Sequence, residues 1–76
     1  MKTLTVRHFH KLCDIVSQKC ANPYAKAYAE AGLGLSDPHE CYVQSLYILN
    51  NLSSWRGELA KPVREGFKLF VKENRP

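Results

Sequence analysis

Long apolar runs, glycine-rich loops and period-two alternation are all missing from this chain of 76 residues. No stretch approaches the ~18 consecutive apolar residues that a membrane span needs, so no membrane partner is expected. No segment alternates apolar and polar side chains, which argues against a sheet. There is no glycine-rich phosphate loop, no paired-carboxylate motif and no nucleophile elbow. A chain this short also leaves little room for a deep pocket. An enzyme is therefore not expected, and no cofactor is implied. Cysteine is sparse: Cys13, Cys20 and Cys41 are an odd number, none at C-x-x-C spacing, so at most one disulfide could form. Met1, Lys2 and Thr3 lead into a polar, histidine-bearing stretch, unlike a secretory leader. Together these features point to buried thiols in a reducing, cytoplasmic compartment.

What is present begins with charge. The formal net charge is +4, carried by 11 Lys and Arg against 7 Asp and Glu. Residues 1–20 and residues 55–76 each carry a net +3, and residues 21–54 a net −2. A mildly basic balance suits nucleic acid, an acidic protein or an anionic membrane and selects none of them.

The apolar spacing predicts four helices in a single domain over residues 1–76, an all-α compact bundle. The first runs from about Thr5 to Lys19, with Val6, Phe9, Leu12, Cys13, Val16 and Cys20 on one face; His8 and Ile15 fall off that stripe. The second starts at the cap Asn22 and Pro23, is rich in alanine, and is expected to stop at a left-handed Gly32. The third starts at Ser36 or Asp37, with Asp37, Pro38 and Glu40 in capping register. It is apolar round more than half its circumference, which predicts a central helix buried by several neighbours. Asn50 to Ser54 reads as a break. Pro62 cannot sit deep in a helix without cost, so a fourth helix running to about Glu73 either starts late, near Gly57, or kinks at Pro62, and the late start is the favoured reading. Asn74, Arg75 and Pro76 are expected to fray.

Two surfaces could do work. Glu40, Gln44, Tyr47 and Asn51 form the polar strip of the third helix, and Gln44, Tyr47 and Asn51 are the candidate partner-binding residues. The competing reading is the ordinary solvent side of that helix. Lys61, Arg64, Lys68 and Lys72, with Arg75, form a basic stripe that could track phosphates. The competing reading is a solvated face, with Glu65 flanking Lys61 and Lys68. No aromatic residue interleaves with the stripe, which argues against a single-strand stacking platform. Trp55 and Arg56 are residue types found in binding hot spots, but Trp55 is read first as a lid on the core.

Two sharper readings fail on chemistry. A helix-turn-helix would make the third helix the reading helix, yet no Arg or Lys occurs from Ser36 to Trp55. His8, His10, Cys13, Cys20, His39 and Cys41 match no common zinc spacing, so no metal site is expected. Cys41 and His39 would have to act as a pair, and side chains this close on one helix point apart.

The segment from Gln44 through Trp55, Arg56, Gly57 and Glu58 to Arg64 resembles a pattern in short uncharacterised proteins of phages and mobile elements. That resemblance implies a small protein that binds and blocks a host machine, as anti-CRISPR proteins do, or an accessory factor. The expected function is thus non-enzymatic protein–protein contact, as a monomer or homodimer. The alternative is non-specific nucleic-acid binding through the basic stripe.

Overall fold

The first three helices start where the sequence supplies caps. The computed structural model describes residues 5–75 and contains α1 (Val6–Lys19), α2 (Pro23–Gly32), α3 (Pro38–Asn50) and α4 (Ala60–Asn74). Thr5 precedes α1, and its backbone N–H donates to His8 Nδ1 at 3.2 Å. His8 thus takes the role that Glu or Gln usually fills in a capping box, which accounts for its place off the apolar stripe. Asn22 Oδ1 accepts from the N–H of Tyr24 at 2.8 Å and of Ala25 at 3.2 Å. Asp37 Oδ2 accepts from the N–H of Glu40 at 3.3 Å.

Gly32 does not stop α2 in a left-handed turn. Among the described residues only Gly57 has a positive φ, 121°, and α2 ends instead in tight turns. Gly34 N–H donates to Ala31 O and Leu35 N–H to Gly32 O, each at 3.1 Å. Gly32 is needed for closeness: a Cβ there would lie 2.9 Å from Cys13 Sγ and 2.9 Å from Phe9 Cζ. The alanines of α2 serve the same crossing, with Ala25 and Ala29 fully buried against the core.

Pro62 lies in the first turn of α4, so the late start holds and falls at Ala60. Asn74 stays helical, its Nδ2 donating to Phe70 O at 2.9 Å. Pro76 and Lys2 lie outside the described residues.

The helices close into a four-membered ring: α1 packs on α2 and α4, and α3 packs on α2 and α4. α1 and α3 also touch across the middle, while α2 and α4 do not meet. The α1–α4 seam holds the aromatic centre, where Phe9 meets Phe67 edge-on at 6.1 Å and Phe70 at 5.4 Å between ring centroids. The third helix does touch all three others, but α1 shares that position. Its fully buried residues are Cys41, Ser45 and Ile48, with Tyr42 and Leu49 half-buried against the core and Leu46 and Tyr47 exposed. Ser45 enters the core without an unmet donor because its Oγ donates to Cys41 O at 2.8 Å. The all-α bundle read from the sequence is the fold, and α3 packs on all three of the other helices.

Candidate functional site

The polar strip of α3 lies at its seam with α2. Tyr47, about half exposed at 49%, stacks on Tyr28 of α2, with ring centroids 5.7 Å apart and planes 22° from parallel. Gln44 Nε2 donates to the backbone carbonyl of Tyr28 at 2.8 Å, fixing the second helix under that ring. Asn51 Nδ2 donates to Tyr47 O at 2.9 Å, closing the last turn of α3. The strip therefore divides. Glu40 and Tyr47 are exposed, whereas Gln44 and Asn51 are half-buried, with their amide nitrogens engaged inside the fold. They support the tyrosine pair from behind, and Tyr28 joins the surface. In sequence Tyr28 lies one helical turn from Tyr24, so the two can cover one side of α2. Its meeting with Tyr47 depends on how α2 and α3 pack, which no spacing within either helix encodes.

The basic stripe also divides. Lys61, Lys68 and Lys72 are exposed on the outer side of α4, beside the exposed Leu69. Arg64 departs from them. It is half-buried, and its Nη1 donates to Trp55 O at 2.7 Å and Leu52 O at 3.1 Å. Its guanidinium thereby gathers carbonyls left open by the α3–α4 connection, a use of charge-assisted hydrogen bonds that holds a loop. Asn22 Nδ2 takes a neighbouring carbonyl, that of Asn51, at 3.1 Å. Among the described residues no ion pair joins Glu65 to Lys61 or Lys68.

The thiols are all free and buried. Burial, followed by the proximity of Cys41, pushes the Cys13 thiol from its ordinary 9.0 up to about 12. Cys41 is raised as well, by burial first and then by Asp37 and Glu40. Burial of this kind lowers the thiolate fraction and so the reactivity of Cys13 and Cys41. The histidines are spent locally: His8 on Thr5, His10 Nε2 donating to Leu35 O at 2.6 Å, and His39 stacked on Tyr42 at 5.9 Å. Among the described residues no three His, Cys, Asp or Glu side chains come together as a metal site. Also among the described residues, no helix is long and apolar enough to cross a membrane.

Trp55 is half-buried and packs against the core from the α3–α4 connection, as a lid would. It also lines an open cleft of about 610 Å³ between residues 20–24 and residues 54–56. Comparison with protein families, with curated proteins and with solved structures finds no match to this chain.

Proposed function

We propose that this is a small non-enzymatic binding protein that acts by protein–protein contact through the tyrosine face on α2 and α3. The observation that carries this reading is the exposed Tyr28–Tyr47 stack. Tyrosine offers a large amphipathic contact area with only two rotatable side-chain bonds, so little entropy is lost when a partner covers it. Stacking fixes the two rings relative to each other before any partner arrives, and the Gln44 and Asn51 hydrogen bonds hold the backbone beneath them. Preorganisation of this kind raises affinity by lowering the ordering penalty of binding. The resemblance of residues 44–64 to phage and mobile-element proteins makes a host machine the class of partner, and inhibition or an accessory role the outcome.

Affinity capture from host lysate tests the reading. Wild-type protein should retain a partner that the doubly substituted Tyr28→Ala/Tyr47→Ala protein loses, while both fold alike by circular dichroism. Equal recovery by both would refute it.

A second reading rests on Lys61, Lys68 and Lys72, which are exposed on one side of α4. Three cations along a helix favour an acidic partner surface or a phosphate backbone without sequence choice. In the first case they would flank the tyrosine-mediated contact; in the second they would bind nucleic acid in a strongly salt-dependent way.

A further inference from the structure

One end of the bundle, where α1 and α3 finish and α2 and α4 begin, carries a second candidate site separate from the tyrosine face. The cleft of about 610 Å³ has Asn22 and Tyr24 on one side and Trp55 and Arg56 on the other. A shallower groove of about 310 Å³ adjoins it, lined by Lys19 and residues 55–59. Trp55 and Arg56 line both grooves. We propose that this double groove binds single-stranded nucleic acid, with bases against Trp55 and Tyr24 and phosphates on Arg56 and Lys19.

Four observations converge on that ligand. Tyr24 is 69% exposed, the most open large hydrophobic side chain among the described residues. Trp55 is held rather than loose: its N–H donates to Leu52 O at 3.0 Å, its carbonyl accepts from Arg64, and it packs on the core. Base–aromatic stacking needs such fixed aromatic surfaces and tolerates any sequence. The charged residues of the two linings are Lys19 and Arg56 against Glu58, so the groove favours an anion. Finally, Lys61 follows two residues after Leu59, placing a third cation next in sequence to the groove's Leu59 edge. The fold thus sets aromatic residues at the head of the stripe, where none occurs within α4 itself on that side. An acidic peptide would use the cations but has no flat rings to match two aromatic walls. A duplex keeps its bases stacked inside and presents phosphates only.

Trp55 is the only tryptophan in the chain, so its fluorescence reads the site directly. The full-length protein is titrated at low salt with a short oligo-dT, the same strand annealed to its complement, and poly-glutamate. Oligo-dT should quench Trp55 to saturation, and duplex and poly-glutamate should not. With about three phosphates engaged at ~0.7 each, log affinity should fall against log salt with a slope near roughly −2. Tyr24→Ala and Arg56→Ala, both at exposed positions, should each weaken binding about tenfold. Tyr47→Ala and Lys68→Ala/Lys72→Ala should stay within about twofold, the latter because those lysines lie roughly 12–18 Å along α4 from Ala60 at ~1.5 Å per residue. No saturable quench by oligo-dT would overturn the proposal. So would equal quenching by poly-glutamate, which would make the groove a peptide site, or loss of binding in the lysine pair with Arg56→Ala unaffected. None of these outcomes bears on the Tyr28–Tyr47 face.

Discussion

A methyl group added at Gly32 and one added at Gly66 would meet different neighbours. At Gly32 it would press on Phe9 and Cys13, both fully buried, with the closest atoms 2.9 Å away. Neither can retreat in a packed core, and overpacking of that kind destabilises by about 1–3 kcal/mol. At Gly66 it would meet Leu12 Cδ2 at 2.8 Å, the free end of a half-buried side chain that can turn aside. There the helix gains up to about 1 kcal/mol of intrinsic propensity. Gly32→Ala should therefore lower the urea midpoint clearly, while Gly66→Ala stays within about 1 kcal/mol of wild type. The same corner of the core governs Cys13. Because its folded thiol ionises near 12 and an unfolded one near 9.0, its contribution to stability is fully present below pH 9.0. It is lost as pH rises from there towards about 12, where the unfolded chain gains by ionising. Replacing Cys13 with alanine should flatten the decline of stability above pH 9 relative to wild type, as read by urea unfolding at successive pH values. An unchanged slope would show that the thiol does not report on that core.

At the level of elements, caps and apolar spacing were legible because they are local. Asn22, Asp37 and Pro62 each act within four residues of themselves, and the helix starts follow from them. Arg64 was not legible in this way. By spacing it belongs with Lys61 and Lys68. Its half-buried position depends on the α3–α4 connection folding back until the Leu52 and Trp55 carbonyls reach it. Gly32 was misread for the same reason: its purpose is set by Phe9 and Cys13, more than 18 residues away in sequence. The two bonds made by Arg64 predict a specific loss. Arg64→Ala should destabilise the fold by about 1.5–3 kcal/mol, the range for hydrogen bonds to charged groups. It should also raise amide hydrogen exchange across residues 51–59 before that of α1 changes. Uniform exchange throughout would mean that Arg64 does not hold the connection.

Over the whole molecule, the net −2 of residues 21–54 comes from α2, α3 and the Asp37 cap between them, and in sequence a net +3 stands on either side of it. The ring of helices sets α2 and α4 apart on opposite corners, since they do not touch. Tyr28 of α2 and the exposed lysines of α4 therefore lie on helices that do not touch, so substitutions can test the two proposed surfaces separately. The tyrosine strip was half legible in the sequence: Tyr47 was placed on the open side of its helix, but its stack on Tyr28 needed the packing of two helices. The most direct measurement is calorimetric titration of the captured partner with wild type, Tyr47→Ala and Lys68→Ala/Lys72→Ala at low and high salt. A central aromatic anchor is worth about 2 kcal/mol or more, roughly thirtyfold in affinity. The predicted result is a loss of that size for Tyr47→Ala at both salt concentrations, with a smaller, salt-dependent loss for the lysine pair. Full affinity in Tyr47→Ala together with abolished binding in the lysine pair would contradict the account.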